Sequence, residues 1–157
     1  MKDNPAPAPV ARPQLSVVVP AYNEEDVIQV FHQRLAGVLD ALAMSAEVIY
    51  VNDGSSDETL EALRRLQRSD PRIGVLDLSR NFGKEIAMTA GLDHSTGDAV
   101  VIIDADLQDP PELIPRLIER WREGFDVVYA QRGDREGETR LKKVTAYGFY
   151  RLIQRMS

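Results

Sequence analysis

"LSVVVPAYNEEDVIQVFHQRLAGVLDALAMSAEVIYV", residues 15–51, contains the first complete unit of the pattern that sets the fold. An apolar, β-branched run at 15–20 predicts a buried strand. Apolar residues at helical spacing over 24–42 predict an amphipathic helix, and a second β-branched run follows at 46–51. A strand, a helix and a strand joined by short connections predict a β-α-β unit with parallel strands.

The same alternation continues to residue 130 and predicts an α/β fold, a mainly parallel sheet with helices on both faces, in one domain over 14–139. A chain of 157 residues can form such a core. The further predicted helices are 55–69, 84–95 and 111–124, and the further predicted strands are 72–78, 98–104 and 125–130.

The composition removes several classes of site. The sequence has no cysteine, which excludes disulfides, cysteine-ligated zinc and thiol catalysis. Its two histidines, His32 and His94, have no ligand spacing, so a histidine-based zinc site is not expected. No stretch approaches the roughly 18 apolar residues that a membrane helix needs.

The two ends of the chain differ in composition from the middle. Residues 1–13 are rich in Pro and Ala and predict a disordered leader without the hydrophobic core of a signal peptide. Residues 140–157 contain five basic residues and no acidic one, although the whole chain carries a net charge of -6. Apolar residues near helical spacing there predict a basic amphipathic helix. The pattern fits a helix at a membrane interface and a helix packed on the domain equally well.

Polar residues follow every predicted strand. The stretches are "PAYNEE", "NDGSSDE", "SRNFGKE", "DADLQD" and "QRGDR", in chain order. Because ligands of open parallel sheets bind outside the carboxyl ends of the strands, we expect a binding site at this edge of the sheet.

Asp104 and Asp106 end the fourth predicted strand. In extended chain, residues i and i+2 point the same way and lie roughly 6.6 Å apart. Two carboxylates at this separation repel each other, and a bound Mg²⁺ or Mn²⁺ would relieve the repulsion. The alternative is a solvated acidic turn in which Asp109 caps the next helix. Placement at a strand end favours the metal.

Two further motifs fit a ligand pocket. Asp53, followed by Gly54, is typical of an Asx turn or helix cap, and in a pocket it could accept a hydrogen bond from a base or ribose. Lys84, after Gly83, stands near a predicted helix N-terminus, a suitable place for phosphate. Neither a Walker A loop nor a G-x-G-x-x-G motif is present in the sequence.

The stretches "VVVPAYNEE", "VNDGSSDET", "NFGKE" and "DADLQDPPELI", in this order and spacing, resemble the family 2 glycosyltransferases of the GT-A fold. The similarity is greatest to the branch that transfers sugar from a nucleotide-sugar to a polyprenyl phosphate, which includes bactoprenol glucosyltransferases and dolichyl-phosphate mannose synthases. It covers residues 14–157. Members of the family are longer, in many bacterial cases with two membrane helices, so the resemblance implies that this chain is a truncated form.

The resemblance implies a role for each matching residue. The implied catalytic residues are Asp104, Asp106 and Arg132, and the implied metal ligands are Asp106 and Gln108. Arg132 and Arg140 would face the acceptor phosphate or the donor diphosphate. The implied donor-binding residues are Pro20, Ala21, Tyr22, Glu24, Asp53, Lys84, Asp104, Ala105 and Asp106.

The resemblance also implies a reaction. An inverting transferase would use Mg²⁺ or Mn²⁺ and move a sugar, with UDP-glucose the first expectation for the donor, to a polyprenyl phosphate at the cytoplasmic face of the membrane. The protein would be cytoplasmic and membrane-associated through 140–157, with no nucleic-acid partner.

Three alternatives to this enzyme remain at this stage. One is a catalytically incomplete fragment that only binds nucleotide-sugar. Another is a family 2 transferase with a different acceptor. The third is a phosphatase of the D-x-D-x-T type, which is disfavoured because Gln108 stands where that motif has Thr or Val.

Overall fold

A computed structural model describes residues 12–130 of the chain. The predicted leader up to residue 11, the predicted helix over 140–157, Arg132 and Arg140 lie outside these residues. The elements are β1 (Leu15–Ala21), α1 (Ile28–Ala41), β2 (Ala46–Asn52), α2 (Thr59–Ser69), β3 (Ile73–Asp77), α3 (Lys84–His94), β4 (Ala99–Ile102), a 3-10 turn (Pro111–Leu113) and α4 (Ile114–Arg122).

The four strands form one parallel sheet in the order β3-β2-β1-β4. Val18 of β1 is in register with Ile49 of β2 on one side and with Ile102 of β4 on the other. β1 is therefore an interior strand, which explains its continuous run of buried residues. The chain reverses its direction of travel across the sheet between β1 and β4, where α/β sheets open a crevice.

Helices cover both faces of the sheet, and the predicted α/β fold class is confirmed. On one face, Phe31 of α1, Leu63 of α2 and Ile118 of α4 belong with Tyr50 of β2 to one buried cluster. On the other face, Ala87 of α3 packs on a second cluster that includes Val18, Ile49 and Val51. No helix within residues 12–130 has the length and apolar character needed to cross a bilayer.

The structure delays the first helix to Ile28, four residues after the predicted start at 24. The backbone N–H groups of Glu24 and Glu25 bind Thr59 Oγ1 and the Asp57 carboxylate. These bonds attach the 24–27 stretch to the start of α2 and hold it in a turn. The apolar pattern of the sequence indicates which residues are buried. It does not indicate these hydrogen bonds between the 24–27 stretch and the start of α2.

The predicted fifth strand at 125–130 is wrong, since these residues form no strand. Phe125, Val127 and Tyr129 are largely exposed, with exposed fractions of 54%, 79% and 79%. A groove of about 550 Å³ along the outer edge of β4 has 125–130 as part of its lining. A strand needs a hydrogen-bonding neighbour as well as β-forming residues, and the groove separates this segment from β4.

A buried polar cluster joins α1, β2 and the start of β3. His32 lies within 3.1 Å of the Tyr50 hydroxyl and 3.5 Å of the Asp70 carboxylate. Arg72 donates two guanidinium hydrogen bonds to Asp70 Oδ2, at 3.1 and 2.7 Å, and one to Asp40 at 2.7 Å. The neutral His32 tautomer with its proton on Nε2 satisfies both neighbours. Burial lowers the pKa of His32 and outweighs the opposing effect of the Asp70 carboxylate.

This lowered pKa predicts a loss of stability in mild acid. The unfolded chain takes up a proton on His32 near pH 6.5, whereas the folded chain does so only at lower pH. The free energy of unfolding should therefore fall as the pH drops below about 6.5. Urea unfolding between pH 7.5 and 5.5 measures this. His32→Gln should flatten the dependence and His94→Gln should leave it in place; equal slopes in all three proteins would contradict the assignment.

Candidate functional site

A cavity of about 260 Å³ opens at the carboxyl ends of β1, β2 and β4, beside the N-terminus of α3. Short loops after three neighbouring strands meet there because parallel strands have their carboxyl ends at the same edge of the sheet. The lining residues are Pro20, Ala21, Tyr22, Glu24, Asp53, Asn81, Gly83, Lys84, Ala87, Asp104, Ala105 and Asp106.

The loop after β1 is tied to the loop after β2. Asn23, in the left-handed region with φ 55°, donates its N–H to Ser55 Oγ at 3.0 Å and accepts an N–H from Ser56 at 2.9 Å. The Glu24 N–H donates to Oγ1 of the buried Thr59 at 2.8 Å. These bonds fix Tyr22 and Glu24 at the mouth of the cavity although both side chains stand outside regular structure.

Asp53 lines the cavity and also bonds the backbone of a neighbouring loop. Its side chain is buried, with an exposed fraction of 3%. One carboxylate oxygen accepts the Phe82 N–H at 2.8 Å and the other accepts the Gly83 N–H at 3.0 Å. Asp53 therefore lies in the cavity wall and also connects the end of β2 to the loop before α3.

Lys84 reaches across the cavity to the first acid of the D-x-D motif. Its Nζ lies 2.5 Å from Asp104 Oδ2. The Asp106 side chain is on the exposed side of the cavity, and its Oδ1 accepts the Gln108 N–H at 2.9 Å. Leu107, between them, has φ 61°, so the chain turns sharply after the second acid. The two carboxylates thus have different neighbours, a cation for Asp104 and a backbone N–H for Asp106.

The cavity is strongly acidic. Its lining includes the carboxylates of Glu24, Asp53, Asp104 and Asp106 and a single cationic side chain, Lys84. Burial, followed by the charges of Asp106 and Asp104, raises the pKa of Glu24. An anionic ligand such as a diphosphate would meet net repulsion in this cavity unless a cation entered with it.

The donor atoms of the cavity suit a hard divalent cation that shares its coordination with a ligand. No group of three or more acidic or histidine side chains in the 12–130 region is arranged to hold a metal alone. Mg²⁺ often takes only one or two protein carboxylates and completes its shell with substrate phosphates and water. Asp106 offers one such carboxylate, and Asp104 offers a second if Lys84 moves to the ligand.

The structure brings together most of the predicted site residues. All nine predicted donor-binding residues line the one cavity. Gln108 is outside the lining but donates its N–H to Asp106. Asn81 and Ala87 line the cavity and were not predicted. Asn81 belongs to the quoted "NFGKE" stretch, so the sequence offered a reason to include it. Ala87 is one helical turn beyond Gly83, and no sequence motif marks it.

The described site and the comparisons agree on one class of protein. The profile of the family "Glycosyl transferase family 2" matches residues 16–156. The chain belongs to this family, and its sheet and helices are those of the GT-A glycosyltransferases.

Relatives are similar over most of this chain. The uncharacterized glycosyltransferase YkcC of Bacillus subtilis is 55% identical, over 92% of this chain and 45% of its own length. The bactoprenol glucosyl transferase of Shigella phage SfX is 48% identical, over 92% of this chain and 47% of its own length. The chain thus spans about half the length of the curated relatives that it matches.

Solved structures show the same architecture. The mannosyltransferase PcManGT from Pyrobaculum calidifontis, in complex with GDP-Man and Mn²⁺, is 32% identical with a TM-score of 0.53, over 66% of this chain and 31% of that one. Glucosyl-3-phosphoglycerate synthase from Mycobacterium tuberculosis, in complex with Mn²⁺, UDP and phosphoglyceric acid, is 27% identical with a TM-score of 0.55, over 69% of this chain and 39% of that one.

The bond from Glu24 to Thr59 predicts that the hydroxyl of Thr59 holds the cavity mouth in place. Thr59→Val keeps the shape of the side chain but removes the acceptor of the Glu24 N–H. It should lower the free energy of unfolding by about 1–3 kcal/mol and speed amide exchange at Glu24. Urea unfolding and hydrogen exchange measure both effects. Thr59→Ser retains the hydroxyl and is the control, so it should leave amide exchange at Glu24 unchanged; equal acceleration of this exchange in both variants, or none in the valine variant, would contradict the role of the hydrogen bond.

Proposed function

We propose that the protein is an inverting glycosyltransferase that moves a sugar from a nucleotide-sugar to a polyprenyl phosphate. The observation that carries the proposal is the acidic cavity in which Lys84 and the D-x-D acids face each other at the carboxyl end of β4. The identity of 46–48% to bactoprenol glucosyl transferases supports a lipid phosphate as acceptor. A family 2 transferase with a different acceptor is the alternative.

The donor fits the charge of the cavity when a divalent cation accompanies its diphosphate. We assign the nucleoside to the wall formed by Pro20, Ala21, Tyr22 and Glu24, and the diphosphate to the side where Lys84 stands. Asp106 and Gln108, with Asp104 beside them, would hold Mg²⁺ or Mn²⁺. The cation supplies positive charge that offsets the charge developing on the departing diphosphate.

The chemistry needs little proton transfer. An oxygen of the acceptor phosphate attacks the anomeric carbon, the new C–O bond forms on the face opposite the leaving group, and the bond to the diphosphate breaks. A phosphate monoester is already anionic near neutral pH, so no strong general base is required to activate it. This agrees with a cavity in which no histidine is among the lining residues of the described chain. We assign to Lys84 the role of binding the leaving diphosphate, on which negative charge develops. Arg132 and Arg140 remain proposed for the acceptor side and lie outside the described residues.

UDP-glucose is the proposed donor because relatives at 47–48% identity are named glucosyl transferases. UDP-GlcNAc, an aminoarabinose donor and GDP-mannose are the competing donors.

A calorimetric titration tests the donor and the metal together. The protein should bind UDP-glucose with Mn²⁺ and bind it at least about tenfold more weakly without the metal. Asp106→Asn should remove the metal-dependent part. Asp93→Asn makes the same charge change on the exposed surface of α3 and should bind as the wild type does. Equal affinities with and without Mn²⁺ would overturn the metal role, and preferential binding of another nucleotide-sugar would replace UDP-glucose.

We place the protein at the cytoplasmic face of the membrane, with residues 140–157 as the contact with the lipid surface. The support is the five basic residues of this segment, interleaved with aromatic and aliphatic ones, in an otherwise acidic chain.

Removal of residues 140–157 should therefore abolish most binding to vesicles that contain anionic lipid. Co-sedimentation at low salt measures the bound fraction, and vesicles of neutral lipid alone are the control. A second variant with the five basic residues changed to glutamine tests the charge separately from the apolar residues. Binding by the truncated protein at the wild-type level would mean that this segment is not the membrane contact.

A further inference from the structure

The turn after β2 contacts the loop that precedes α3. The contact has a polar part: the two oxygens of Asp53 accept the consecutive backbone N–H groups of Phe82 and Gly83, at 2.8 and 3.0 Å. A buried carboxylate that accepts two N–H bonds is a strong and directional anchor. The bonds go to the backbone of the loop and not to any of its side chains.

The contact also has a steric part, at Gly54. This residue has φ +63°, and a Cβ added to it would lie 2.2 Å from the Arg80 carbonyl carbon and 2.5 Å from the Asn81 nitrogen. These are backbone atoms, so no side-chain rotation could make room. The 80–83 loop therefore lies directly against the turn.

Lys84 is the next residue along the chain. Gly83, with φ 98°, precedes α3, and its carbonyl accepts the N–H groups of Ile86 and Ala87 to form the first helical turn. Lys84 opens α3 and extends from this turn to Asp104 on the far side of the cavity. The position of its amine thus depends on the loop that Asp53 and Gly54 hold.

We propose that Asp53 is a positioning residue that places Lys84 opposite the D-x-D acids. There the lysine binds the diphosphate of the donor, so Asp53 supports donor binding through Lys84. The proposal rests on the proposed function, since it names how one wall of that cavity works. The competing role is direct contact between Asp53 and the nucleobase. Each oxygen of Asp53 accepts one backbone N–H and keeps a lone pair, so a base contact could add to the positioning role but would not explain the bonds to the loop.

The two roles differ in what happens to a ligand without a base. Isothermal titrations in Mn²⁺ compare UDP with inorganic pyrophosphate on the wild type and on Asp53→Asn. The asparagine keeps the shape but turns an NH₂ group toward one of the two N–H groups. The positioning role predicts that pyrophosphate, which has no base, loses affinity about tenfold or more and that UDP loses at least as much. Weaker UDP binding with unchanged pyrophosphate binding would overturn the proposal in favour of the base contact.

Matched variants isolate the path through Lys84. Asp77→Asn makes the same charge change at the end of the neighbouring strand, where Asp77 bonds Asn52 rather than the loop, and should alter either affinity by less than about twofold. Gly54→Ala displaces the loop without a charge change and should reproduce the Asp53→Asn loss. In a Lys84→Ala background, Asp53→Asn should lower the affinity for pyrophosphate by less than about a further twofold. Fully additive losses would overturn the proposal.

A measurement without ligand separates this proposal from the proposed function. In the free protein, NMR should show faster amide exchange at Phe82 and Gly83 in Asp53→Asn and Gly54→Ala than in Asp77→Asn. The nuclear Overhauser contact between the Lys84 and Asp104 side chains should weaken in the same two variants. If the wild type binds neither UDP nor pyrophosphate, the proposed function fails, and these spectra still decide. A folded Asp53→Asn protein with an unchanged Lys84–Asp104 contact would overturn the positioning role.

Discussion

The interior position of β1 is the constraint on which the rest of the structure depends. β1 is hydrogen-bonded in parallel to β2 on one edge and to β4 on the other, and helices cover both faces of the sheet, so nearly all of its side chains are buried. Parallel pairing on both sides brings the ends of β1, β2 and β4 together at one edge of the sheet. The polar residues that line the cavity, from Tyr22 to Asp106, collect at that edge as a result.

The electrostatics of the cavity follow from this convergence. The segments after β1, β2 and β4 contribute the acidic residues Glu24, Asp53 and Asp104, and α3 contributes Lys84. A cavity with this balance repels a bare anion and attracts a cation. A diphosphate that binds together with a metal ion brings the cation that the cavity attracts and offsets the repulsion of the anion. Lys84 can then bind the phosphates instead of Asp104. The overall charge of the cavity therefore supports the proposed donor more strongly than the position of any single residue does.

Strand and helix order was predictable from the sequence because hydrophobic period depends only on which side chains are buried. The late start of α1 at Ile28 was not, because the bonds from Glu24 and Glu25 to Thr59 and Asp57 join loops 32–35 residues apart. The fifth strand at 125–130 was predicted from β-forming residues alone, but strand formation also requires a partner edge. The residues next to strand ends line one cavity because topology fixes their position, and their roles in binding stay predictions. Ala87 also lines the cavity and was not predicted, because its place depends on the packing of α3.

The bonds from Asp53 run to main-chain atoms, and this separates the shape of the loop from its sequence. Residue 82 can change its side chain without touching the hydrogen bond at its nitrogen, and the Phe82 ring is partly exposed under the Arg80 guanidinium, 4.7 Å from its centre. Positions 80 and 82 are therefore open to variation between homologues, or in a combinatorial library, while the path of the backbone past the cavity is kept. Natural divergence and engineering alike could alter the rim of the cavity there without rebuilding its wall.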